Sequence, residues 1–207
     1  MHSLADALDR FNRKERYLLV RAMLAEGRLP PLCKPFCDQV AEKLGFPIPE
    51  TAWWATDYHI SWLAGALALF VKGEEAARIW PNPEVLAKVC YALDEKTDNR
   101  RLVERNSEDV DLVIATGCKL VFIEAKAYGF FSNSQLKHKL ARLELLHNFY
   151  IGMKPPPEYA VDFHFLITSP KKPTSKLTTC WPRWACKGQD IPWIPLQLPT
   201  PRDQFYG

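Results

Sequence analysis

Two periodicities divide the chain near residue 99. Before it, apolar residues recur at helical spacing. "NRKERYLLVRAMLAEG" (12–27) predicts a helix in which Asn12 caps, Glu15 takes the fourth place of a capping box and Gly27 stops the run. "PFCDQVAEKLG" (35–45) predicts a shorter helix with a Pro start and a Gly end. Thr56 predicts the cap of a strongly apolar helix running to Lys72, and "NPEVLAKVCYALDE" (82–95) one more, with Pro83 at its first position. After Asn99 the pattern changes to short β-branched runs, "RRLVERN", "DVDLVIAT" and "KLVFIEAK", separated by turn residues. A helix over 133–150 and a strand over 161–169 follow. Helices, three strands, a helix and a strand imply an α/β or α+β fold whose sheet is made late in the chain, of which α/β is the expectation carried forward.

Composition narrows the class without naming it. The 207 residues are 47% hydrophobic and 25% charged, which suits a soluble domain with a real core. No run of about 18 uncharged apolar residues occurs, so no membrane partner is expected. The opening "MHSLADALDRFNRKER" carries charges where a signal peptide is apolar, which predicts a cytoplasmic chain. The six cysteines are too scattered for a disulfide framework. Cys33, Cys37, Cys180 and Cys186 lack the spacing of a zinc knuckle, and buried or idle thiols explain them better.

Charge is uneven. Residues 171–207 hold six Lys or Arg against Asp190 and Asp203, a net of +4, within a formal total of +3. Trp181, Trp184, Trp193, Phe205 and Tyr206 are interleaved with those basic residues. Such a segment suits a single-stranded or distorted nucleic acid, and equally a proline-stiffened tail whose aromatics pack back onto the domain.

The densest chemistry lies in "EDVDLVIATGCKLVFIEAK" (108–126). With Gly117-Cys118 as a two-residue type II′ loop, Thr116 faces Lys119 and every opposed pair sums to 235. Asp111 then falls opposite Glu124, and Asp109 opposite Lys126. Period 2 puts these four on one face, with Val110, Leu112, Ile114, Val121 and Ile123 on the other. Opposed carboxylates repel unless a divalent cation sits between them. A lysine beside them stabilises charge on a phosphate or positions a water. That is equipment for metal-assisted phosphodiester hydrolysis; the plainer alternative is a solvated strand face with an Asp109–Lys126 ion pair.

The aspartate of "DLVI", followed 13 residues on by the Glu of "IEAK", resembles the signature of the PD-(D/E)XK nuclease superfamily. The resemblance implies a restriction-endonuclease-like fold, a mixed sheet flanked by helices, over about residues 99 to 170. Residues 1–98 would be an N-terminal helical region packed on this core, and 171–207 a basic, aromatic-rich extension. It also implies Asp111 and Glu124 as metal ligands and Lys126 as the catalytic lysine. Gln135, in the following helix, matches a glutamine of the RecB-like branch, although Lys139 stands where that branch has tyrosine. Gln135, Lys139 and Arg142 share a helix face by spacing, which would let Lys139 and Arg142 meet a phosphate backbone. Of the acids that precede the sheet, Glu15 is one option, already explained by its capping position; Asp57 and His59, read as opening the apolar helix, are weaker, and Glu104 and Glu108 weaker still.

The expected function is a Mg²⁺- or Mn²⁺-dependent nuclease acting on DNA, with RNA as a second possible substrate and a homodimer as one assembly. The alternative is an inactive nuclease-like domain that binds nucleic acid or protein, its acids residual.

Overall fold

The computed structural model describes residues 3–24, 29–73, 108–128, 131, 133–173, 182–186 and 191–198. Five helices and five strands matter for the site. They are α1 (Leu4–Phe11), α2 (Glu15–Met23), α3 (Lys34–Leu44), β1 (Trp53–His59), α4 (Ile60–Lys72), β2 (Asp109–Thr116), β3 (Lys119–Ala125), α5 (Asn133–Gly152), β4 (Asp162–Ser169) and β5 (Trp193–Pro195). The predicted helix at 82–95 and the strand "RRLVERN" lie outside the described residues.

The sheet order is β1-β2-β3-β4-β5. The pairs β1–β2 and β2–β3 are antiparallel; β3–β4 and β4–β5 are parallel. The fold is therefore α/β with a five-stranded mixed sheet flanked by helices. The hairpin pairs run from Thr116↔Lys119 to Leu112↔Ile123, the register expected from the 235 rule. Gly117 takes φ 55 while Cys118 keeps a negative φ, the pattern of a type II′ turn. Among the described residues no helix is long and apolar enough to cross a membrane.

Several local expectations need correction. The capping box belongs to α1: Ser3 Oγ accepts from Asp6 N–H at 3.1 Å, and Asp6 accepts from Ser3 N–H at 3.0 Å. Asn12 instead closes α1, is buried, and accepts from Lys14 N–H, so α2 begins at Glu15 with no side-chain cap. The sheet also does not start late. "WWATDYH" is strand β1, and α4 begins only at Ile60, whose N–H donates to Glu108 O. Its two Trp and one Tyr suit a pleated, half-buried surface, and β2 supplies the ladder that a helical start would forgo. At the other end β5 comes from the C-terminal extension, so residues 53–59 and 193–195 both join the sheet.

Both faces of the hairpin are covered, which overturns the one-apolar-face expectation. Val113, Ala115, Leu120 and Phe122 pack with α1, α4 and α5, while Ile114, Val121 and Ile123 pack with Leu166, Ile194 and residues of α3. Val110 belongs to the first of these cores, not to the face of Leu112 and Ile114. The reason lies at Asp57, where φ is 51 and the β1–β2 ladder skips the Asp57/Asp111 position. Asp tolerates this left-handed geometry better than most residues. Past the break, Tyr58 and Val110 turn into the same core as Ala55 and Val113. Tyr58 is fully buried there, and its hydroxyl donates to Leu8 O at 2.7 Å.

The C-terminal aromatics that are described pack inward. Trp184 stacks on His147 and donates to Glu144 at 2.6 Å, and Trp193 donates to Ser169 Oγ at 3.0 Å.

α4 meets α1 closely at Gly65, where a Cβ would stand 2.2 Å from the Phe11 ring. Alanine is the better helix former by about 1 kcal/mol, yet the overlap should win. We expect Gly65→Ala to lower unfolding free energy by about 1–3 kcal/mol in urea titrations. The same change in a Phe11→Ala background should cost far less.

Candidate active site

The β2–β3 ladder ends at Leu112↔Ile123, one position short of Asp111 and Glu124. The Ala125 N–H on that side loses its cross-strand carbonyl. Asp111 replaces it, accepting from Ala125 N–H through Oδ2 at 2.7 Å. Asp111 and Glu124 are thus neighbours across a parting pair of strands rather than a paired rung.

Glu124 shares its face with Phe122 and is held from the other side by β4, in register with Ile167. It is only 5% exposed. Oε2 accepts from Lys139 Nζ of α5 at 2.5 Å, while Oε1 is buried with no hydrogen-bond partner. Burial pushes the Glu124 carboxyl up to about 7, the Asp111 charge adds to the rise, and Lys139 opposes it.

Lys126 lies just past the strand, its N–H donating to Thr168 O at 2.9 Å. Among the described residues its ammonium has neither an ion pair nor a hydrogen bond. Asp111, Glu124 and Lys126 line one cavity of about 310 Å³ together with Glu108, Asp109, Phe131, Leu136 and Lys139. All four residues that the register gathered therefore reach one space.

Asp109 is engaged differently from the expectation. It pairs with Lys14 Nζ at 2.6 Å and with His59 Nδ1, so the Asp109–Lys126 pair is not made. The break at Asp57 and the approach of the α2 start bring these two side chains to it first. His59 also sets its ring edge-on to Trp62 at 4.2 Å. Asp57 itself stays outside the cavity lining, 3.5 Å from Arg16. Glu15 is exposed at the first position of α2 and does not line the cavity.

On α5 the expected Gln135–Lys139–Arg142 stripe divides. Lys139 turns to Glu124, and Arg142 is 4% exposed, within the protein rather than on its surface. The Gln135 backbone belongs to α5; its side chain lies outside the described residues. Two participants escaped sequence reasoning in their present roles. Lys14 stands 95 residues from its partner and carries no local signal. Glu108 was the weakest of the acids considered, yet its Oε2 is buried without a hydrogen-bond partner at the cavity wall.

The cavity therefore faces four carboxylates and the ammonium groups of Lys126 and Lys139, with Lys14 behind Asp109. Among the described residues no group of three or more His, Cys, Asp or Glu side chains converges closely enough to hold a metal alone. No protein-family model matches the chain, and no curated protein or solved structure matches it.

The Glu124 environment has a pH signature. Its folded value of about 7 exceeds the ordinary 4.5, so the folded state binds the extra proton between those values. Stability is greatest below pH 4.5 on this account and falls as pH rises to 7, by on the order of 3 kcal/mol. Urea unfolding of wild type and Glu124→Gln across that window should show the slope in wild type and its loss in the variant.

Proposed function

We propose that this protein is a metal-dependent nuclease that hydrolyses phosphodiester bonds in DNA, with the cavity at the parted end of β2 and β3 as its active site. The observation that carries the reading is Glu124: a carboxylate 5% exposed, with one oxygen unpartnered, facing the same cavity as Asp111 and Lys126. Lys139 offsets that charge through Oε2, and the unpartnered Oε1 leaves a place for a second cation. The antiparallel β1-β2-β3 set followed by a helix and the parallel strand β4 supports the restriction-endonuclease-like arrangement of the core, with α4 inserted between β1 and β2.

The donor set fits Mg²⁺ or Mn²⁺. Hard cations take oxygen ligands, and Mg²⁺ commonly accepts one or two carboxylates with water and phosphate oxygens in the remaining places. Asp111 and Glu124 would hold the ion. When bound, it supplies Lewis-acid polarisation of the phosphate and a more acidic water. Asp111 keeps Oδ2 on the Ala125 amide, which fixes the orientation of its carboxylate toward the cavity. Lys126, unpaired among the described residues, places a positive charge where a phosphate would gain negative charge. Phe131 and Leu136 give the same cavity an apolar wall that limits water.

One observation favours the alternative, a nuclease-like binding module. Asp111 caps a strand amide and Glu124 pairs with Lys139, so each acid also has a structural partner. Titration calorimetry with Mn²⁺, followed by plasmid and RNA cleavage, separates the two. Wild type should bind Mn²⁺ and cleave DNA, and Asp111→Ala/Glu124→Ala should lose binding and at least about a hundredfold in rate. Wild type that neither binds Mn²⁺ at millimolar concentration nor cleaves overturns the nuclease reading and leaves the binding module as the one to pursue.

A further inference from the structure

Lys139 and a divalent cation would need the same carboxylate. Lys139 Nζ sits 2.5 Å from Glu124 Oε2, and the two side chains are only 17% and 7% exposed. The other oxygen of that carboxylate, Oε1, is buried and without a hydrogen-bond partner. An ion coordinated through Oε1 would stand within roughly 6 Å of the ammonium, given coordination distances near 2.1 Å. In a poorly hydrated site, a double positive charge at that distance offsets most of what one carboxylate at 2.5 Å gives the ammonium. The lysine stem is flexible and Lys139 itself lines the open cavity, so the ammonium has somewhere to go.

We propose that Lys139 holds the cation position in the metal-free protein and that metal loading exchanges it, releasing its ammonium into the cavity beside Lys126. This rests on the metal-site reading of Asp111 and Glu124. The exchange makes Lys139 a positioning residue with two states. On Glu124 it neutralises the buried acid and keeps the cavity wall closed on itself. Off Glu124 it adds a second ammonium for the substrate phosphate, which Lys126 alone would otherwise meet. Metal binding thereby precedes tight phosphate binding, and the protein is protected from taking up nucleic acid in an unloaded state.

Amine modification read by mass spectrometry tests the exchange on the unaltered full chain. With saturating MnCl₂, acetylation of Lys139 should accelerate by about fivefold, as an ammonium released from its carboxylate becomes accessible. Exposed Lys154 should not change and serves as the internal reference. In calorimetry at pH 8, Lys139→Met should bind Mn²⁺ about tenfold more tightly than wild type, because its competitor is gone. Circular dichroism establishes that the variant is folded; if it is not, the modification rates of wild type decide the matter. Mn²⁺ binding that Glu124→Gln abolishes, with Lys139 reactivity unchanged, overturns the exchange and leaves the metal site standing. Glu124-dependent binding by Lys139→Met where wild type shows none overturns the exchange, because the ammonium then never leaves the carboxylate. Absence of Mn²⁺ binding in both proteins removes the metal site and the exchange together.

Discussion

Beyond the Leu112–Ile123 pair, β2 and β3 stop exchanging backbone hydrogen bonds, and the Ala125 amide must find another acceptor. Ala125 is exposed, so water could accept this bond, yet a side chain of β2, that of Asp111, reaches it first. That one hydrogen bond fixes where the strands part, keeps the Asp111 carboxylate beside Glu124, and opens the space that Glu108, Asp109 and Lys126 also border. The β1–β2 ladder breaks at the same level, with Asp57 in the left-handed region opposite Asp111. Three strands thus lose regular pairing at one height of the sheet, and the polar groups collect there.

The rest of the sheet leaves them little choice. α1, α4 and α5 cover one face and α3 the other, so the middle of the hairpin is apolar on both sides. A charged residue on either face within that stretch would be desolvated without a partner. At the parted end, by contrast, α5 passes close enough for Lys139 to reach Glu124, and α2 starts close enough for Lys14 to reach Asp109. Glu124 and Asp109 are thus each met by a lysine from a different part of the chain. Lys126 is different: it lines the same cavity and, among the described residues, has no acid as partner.

Much of this was legible beforehand. The β-branched runs around Gly117 announced a hairpin, the two-residue loop set its register, and period 2 gathered positions 109, 111, 124 and 126. The helix over 34–44, the helix from 133 and strand β4 followed from caps and periodicity. Strand β1 was read as the start of a helix because "TDYHISWL" has an acceptable cap and an apolar run behind it; nothing local says that β2 waits to pair with it. The pairing of Asp109 was misjudged for a similar reason. Local register offers Lys126, whereas the break at Asp57 and the packing of α2 present Lys14 and His59.

By itself, then, the sequence determined which strands could form a hairpin, in what register, and which acids would travel together, because turn chemistry and alternation act over a few residues. Only the tertiary structure decided that both hairpin faces would be buried, that Glu124 would lose nearly all contact with water, and that Lys139 and Lys14 would become the partners of the acids. Burial and charge pairing depend on what packs from elsewhere in the chain, and Lys14 meets Asp109 across a separation of 95 residues. No local pattern encodes a contact of that range; it exists only once the helices have settled on the sheet.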